Sequence, residues 1–149
     1  MGKTDYEQDF YTWAMTQAAH LRAKQWDGLD IDNLAEEVEA LGSEQEHAVE
    51  SYLVNLLLHL LKWRYQPERR GKSWRNSIRV ARQGIDRRLR RNPRLKGKLD
   101  SLVVTAYVDA RELAAEQTEQ PINLFPESCP WPVDRVLKRD FWPEAEDVP

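Results

Sequence analysis

The chain holds 149 residues, 41% of them hydrophobic and 32% charged, with six Trp and one Cys. It is long enough to bury a real core and too apolar to stay disordered, while a lone Cys excludes a disulfide framework and a cysteine zinc cage. The net charge of −3 and the absence of any apolar run near the ~20 residues of a membrane span point to a soluble protein that does not enter a membrane.

In chain order, Thr4 or Asp5 is placed to cap a first helix reaching about Lys24, with Tyr6, Phe10, Trp13 and Leu21 on one side. Asp27-Gly28 reads as a turn. Asp30 caps a second helix whose Ile31, Leu34, Val38 and Leu41 recur at helical spacing. Gly42-Ser43 reads as a break or kink, since Ser43 with Glu46 resembles a capping box. A third helix then spans about 44–65, apolar almost all round in its second half, until Pro67 ends it.

The spacing predicts a fourth helix over about 73–92, with Trp74, Ile78, Ala81, Ile85 and Leu89 in a narrow arc and arginines beside it. Asn92-Pro93 supplies a cap and first-turn proline for a fifth helix, which stops before Pro121. The tail is rich in Pro and Trp, with one short helix opened by Pro132. The expected fold is all-α: an up-and-down bundle of four to five main helices over about 4–119, with an irregular arm over 120–149, in a single domain. Phe125, Trp131, Phe141 and Trp142 are expected to pack the arm.

The mild net charge is a cancellation between blocks. Residues 1–61 carry 3 basic and 12 acidic side chains, residues 62–98 carry 15 and 2, and residues 99–149 carry 4 and 11. Antiparallel helices would bring Glu44, Glu46 and Glu50 to the end holding Arg87 to Arg91, Arg94, Lys96 and Lys98, and Glu112, Glu116 and Glu119 to the end holding Lys62, Arg64, Arg69, Arg70 and Lys72. The first expectation is therefore internal pairing of the blocks, which selects topology and register. The alternatives are an acidic protein partner, or nucleic acid bound through phosphate contacts. Arg69, Arg70, Lys72, Arg75, Arg79 and Arg82 are the candidate contacts for either.

Other chemistry is thinly represented. Glu44 and His47 form one Glu-x-x-His pair, whereas a di-iron bundle needs two pairs and two further glutamates. No glycine-rich phosphate loop occurs. His59 lies among leucines with no nucleophile or orienting acid indicated, and Cys129 sits in Ser128-Cys129-Pro130-Trp131 with no cation or helix start specified to make it a thiolate. No metal or cofactor is expected.

Several stretches together resemble an uncharacterised bacterial family, catalogued as domain of unknown function 29. They are Asp9-Phe10-Tyr11-Thr12-Trp13, NLAEEVEALG at 33–42, HLLKWRYQPERRGKSWR at 59–75, Cys129-Pro130-Trp131 and Asp140-Phe141-Trp142-Pro143. The resemblance implies a bacterial, mostly helical protein and assigns no catalytic or binding residue. It also directs attention to the polar turn with Gln66 and Glu68, because polar loop residues are functional candidates.

The resulting expectation is a cytoplasmic, non-enzymatic interaction or regulatory protein whose partner is another protein or a second copy. Nucleic-acid binding through 62–98 is the alternative, and an enzyme with a site near His59 ranks third.

Overall fold

In the computed structural model, residues 2–144 are described. Among them are six α-helices: α1 Gly2–Gln8, α2 Phe10–Arg22, α3 Ile31–Tyr65, α4 Lys72–Arg91, α5 Leu99–Thr118 and α6 Val133–Val136. No described residue lies in a strand, so the fold is all-α as expected. These residues group into two compact units divided between Glu44 and Gln45, with α3 contributing to both.

Three expected boundaries differ, the last at the start of α5. The first helix is divided at Asp9, whose carboxylate accepts the Thr12 backbone N–H at 3.0 Å and its hydroxyl at 2.6 Å. An aspartate that captures the N–H three residues on starts a new helix; the Thr4 capping site concerns a side chain outside the described ones. Conversely, no break occurs at Gly42-Ser43, and α3 runs unbroken for 35 residues. An interior glycine costs about 0.5–1 kcal/mol relative to Ala, which the apolar packing of the second half of α3 outweighs. A methyl group at Gly42 would meet nothing within 4 Å, so no close approach requires glycine there.

The N-terminal unit closes around Asp30. Trp13 Nε1 donates to its carboxylate at 3.0 Å, Asn33 Nδ2 at 2.8 Å, and the Asp30 backbone N–H donates to Gln17 Oε1 at 2.7 Å. Trp13 meets the Tyr6 ring edge-on at 4.7 Å, and the Tyr6 hydroxyl donates to Glu37. That hydrogen bond, which holds the proton on the phenol, pushes the Tyr6 pKa up to about 12, with the charge of Glu37 adding to it.

In the second unit, side-chain contacts set the helix directions. Arg88 and Asn92 donate to Gln45, and Lys62 lies 5.0 Å from the Trp74 ring, so α4 runs antiparallel to residues 45–65 of α3. Lys98 meets Glu46 at 3.2 Å and Lys62 meets Gln117 at 2.9 Å, so α5 runs antiparallel to α4. Between them lie Leu53, Leu56, Leu57, Leu60 and Leu61 of α3, Ile78 and Ile85 of α4, and Tyr107 of α5, all at most 2% exposed. Gly84 is where α4 crosses Tyr52; a methyl group there would overlap the tyrosine ring. Asn92 precedes a 3-10 turn, Pro93–Lys98, rather than α5 itself. Glu119, in the left-handed region at φ 56°, ends α5 ahead of Pro121.

The C-terminal arm packs against this bundle through Phe125, Trp131, Phe141 and the half-buried Trp142, as expected. Three side chains of the bundle donate to its backbone. Tyr107 Oη reaches Pro126 O at 2.6 Å, Arg111 reaches Phe125 O at 3.1 Å, and Arg82 reaches three further carbonyls.

Candidate binding groove

Helix α4 divides its residues by spacing. Ile78, Ala81, Ile85 and Leu89 are buried, and the positions beside them are arginines. Because the arm lies along one flank of that helix, the flank becomes one wall of a groove of about 770 Å³. Leu137 and Trp142, both half-buried, line it with apolar surface, and the fully buried Ile78 lies beneath them. Lys72, Arg75, Arg79, Arg82 and Arg139 line it with positive charge. Its single acid, Asp86, is held by Arg90 at 3.0 Å.

Four of these cations stay exposed. Lys72 and Arg139 make no side-chain hydrogen bond or ion pair among the described residues. The Arg75 guanidinium stands 5.5 Å from the Trp63 ring, and Arg79 donates to Asn76, so neither meets a carboxylate. Five cations around one cavity raise the local positive potential and attract anions.

Arg82 differs. It is 6% exposed, and its guanidinium donates to Val136 O at 2.9 Å, Arg139 O at 3.2 Å and Phe141 O at 2.8 Å. Burial pulls its pKa down to about 10, with Asp140 opposing the shift. Its first role is to hold the arm that forms the other groove wall. Two of its five N–H groups are left over from those three bonds.

Of the six cations singled out from the sequence, the structure brings Lys72, Arg75, Arg79 and Arg82 into this groove. Arg70 instead folds back, donating to Trp63 O at 2.7 Å and pairing with Glu144 at 3.4 Å. Arg69 closes the 3-10 turn Pro67–Arg69 and is exposed. Gln66 precedes that turn and accepts the Arg69 backbone N–H at 2.9 Å. Glu68 is exposed and makes no ion pair among the described residues. Sequence reasoning missed Leu137, Arg139 and Trp142. The one available signal was Lys138-Arg139, a basic pair in a tail that is acidic on balance.

Internal pairing of the charge blocks, the leading sequence expectation, is largely not realised. Lys98–Glu46 and Arg70–Glu144 each join the basic block to an acidic one, but Arg88 meets the amide of Gln45 and Lys62 the amide of Gln117. Glu50, Glu112, Glu116 and Glu119 make no ion pair among the described residues. The helices have the expected directions, yet an exposed pair gains under about 1 kcal/mol and immobilises two long side chains, so proximity of helix ends does not bring the charges together.

His59 Nδ1–H donates to Asn55 O at 2.8 Å on its own helix, and burial lowers its pKa. The Cys129 thiol donates to Trp131 O at 3.3 Å, and burial pushes its pKa up, away from thiolate. Among the described residues no three His, Cys, Asp or Glu side chains gather as a metal site, and no helix is long and apolar enough to cross a membrane.

No curated protein and no solved structure matches the chain. The family model described as domain of unknown function DUF29 matches residues 6–142, spanning α2 to α6 and both walls of the groove, and the chain therefore belongs to the DUF29 family.

Proposed function

We propose that this protein is an interaction module whose groove between α4 and the C-terminal arm receives an acidic, amphipathic segment of a protein. The observation that carries this reading is the mixed lining, with the half-buried Leu137 and Trp142 inside a rim of Lys72, Arg75, Arg79 and Arg139. An apolar helix face supplies anchors for such a floor, and acids beside those anchors meet the rim. Nucleic acid would use the rim and leave Leu137 without a role. A reducing, cytoplasmic setting suits the unpaired Cys129.

Fluorescence anisotropy tests this with a labelled helical peptide bearing leucines at i, i+3 and i+7 among glutamates, beside a duplex DNA of about 20 base pairs spanning several phosphate contacts. The expected result is saturable peptide binding that falls at least tenfold in Arg75→Glu/Arg79→Glu, a loss of about 1.4 kcal/mol or more. Tighter binding of the duplex, with a steep salt dependence, would overturn the reading in favour of nucleic acid.

A further inference from the structure

The N-terminal unit carries a largely exposed apolar stripe, of which only Leu34 is half-buried. Ile31, Leu34, Val38 and Leu41 follow the three-four alternation of a coiled-coil seam, with β-branched residues and leucines alternating. Ile31 is 62% exposed, and Val38 and Leu41 are each 64% exposed. Such a seam on a helix ordinarily faces a partner. Its flanks are distinctive: Glu37 and Glu44 stand on one side, the small Ala35 and Gly42 on the other.

Charge decides which partner suits it. Residues 1–44 hold 3 basic and 10 acidic side chains. Two such stripes pressed together would set acid against acid, with no Lys or Arg at the flanking positions to relieve it. The stripe needs an apolar surface with a cationic rim. The groove of the second unit has that composition, including four exposed cations without a carboxylate partner among the described residues.

Resting on the groove reading above, we propose that the groove's occupant is the Ile31–Leu41 stripe of a second copy, the two copies exchanging stripes reciprocally to form a closed dimer. Each copy then supplies one stripe and one groove. A two-fold axis makes the two interfaces identical and ends assembly at two chains. The cationic rims make the association sensitive to salt.

Sedimentation equilibrium of the full chain tests this. At about 50 mM salt the chain is expected to be dimeric, with the dissociation constant rising at least tenfold by about 500 mM as exposed charges are screened. Ile31→Ser/Val38→Ser and Arg75→Glu/Arg79→Glu change exposed positions and leave the core intact; each variant alone is expected to be monomeric. An equimolar mixture of the two retains one intact interface and is expected to recover a heterodimer, weaker than the native dimer. A mixture that stays monomeric, or a dimer that persists in both variants, would overturn the exchange.

The acidic probe peptide separates this proposal from the groove reading. It is expected to dissociate the native dimer and to bind the stripe variant, whose groove is vacated. A wild-type chain that stays monomeric yet binds the peptide overturns the exchange and leaves the groove reading standing. A monomeric chain that binds no peptide overturns both.

Discussion

Arg82 and Phe141, 59 positions apart in the chain, are joined by a hydrogen bond of 2.8 Å from guanidinium to backbone carbonyl. That bond places a residue of α4 at the base of the arm, and the groove exists because the arm stays there. The same guanidinium binds Val136 O and Arg139 O, so one side chain orients the segment that contributes Leu137, Arg139 and Trp142. Its planar fork suits three separated acceptors, which a lysine ammonium on a flexible stem does not.

Replacing Arg82 with Met is therefore expected to destabilise the protein by about 2–4 kcal/mol, since three carbonyls lose a charged donor inside the fold. Urea unfolding measures the loss. Arg82→Lys should recover less than half of it, and both variants should expose the arm to proteolysis near residues 137–142 under native conditions. Full stability in Arg82→Met would show that apolar packing alone holds the arm.

The two interior glycines of α3 and α4 predict opposite effects of the same substitution. Gly84→Ala drives a methyl group into the Tyr52 ring and should cost about 1–3 kcal/mol, as overpacking does. Gly42→Ala points into open space and should stabilise by about 0.5–1 kcal/mol through helix propensity. Shortening Tyr52 to Leu should offset part of the Gly84→Ala loss, a coupling that a double-mutant cycle in urea reads directly.

His59 gives a pH dependence with a definite sign. Burial lowers its folded pKa below the unfolded value near 6.5, so the unfolded chain takes up the proton first as pH falls. The stability associated with neutral His59 is complete above that unfolded value and declines as pH drops through it toward the folded one. Urea midpoints should fall between pH about 7.5 and about 5.5 in the native chain, bracketing the imidazole titration, and fall less in His59→Gln. An equal decline in both proteins would assign the effect to other groups.

Asp30 titrates in the same direction at lower pH. The Asn33 side-chain bond, aided by Trp13, holds its carboxyl below the usual range, so its contribution is present above an ordinary aspartate pKa and is lost as pH falls to the depressed folded one. Hydrogen exchange of α2 amides should accelerate on acidification before that of α3 residues 53–61. In Asp30→Ala the α2 amides should already exchange fast at neutral pH, while the buried leucine segment keeps its protection.

Charge reversal at the groove separates binding from folding. Arg75 and Arg79 are exposed, one beside Trp63 and the other bonded to Asn76. Arg75→Glu/Arg79→Glu should shift unfolding stability by no more than about 0.5 kcal/mol per site, as surface changes do. Calorimetric unfolding beside the peptide titration checks both halves. A cooperative loss of stability would place the two arginines in the fold's support.

Local chemistry and periodicity were enough to place the long elements. The apolar arc of α4 follows from residues spaced three and four apart, the end of α3 from Pro67, and the short α6 from Pro132. Periodicity also marked Ile31, Leu34, Val38 and Leu41 as a stripe, but spacing cannot tell a face that is buried from one that is open. Short-range signals misled at two points. Asp9 competes for a helix N–H that the apolar pattern did not weigh, and Gly42-Ser43 is a weaker break than the continuous packing further along α3.

The sequence alone established a helical chain with acidic, basic and acidic blocks, because both helix periodicity and net charge are sums over neighbouring residues. Only tertiary structure decided which charges meet. Arg70 and Arg82 turn inward to bind main chain, whereas Arg75, Arg79 and Lys72 are left facing a groove whose other wall lies some sixty residues further on. That difference depends on where the arm returns against α4, a long-range contact to which no local pattern of residues corresponds.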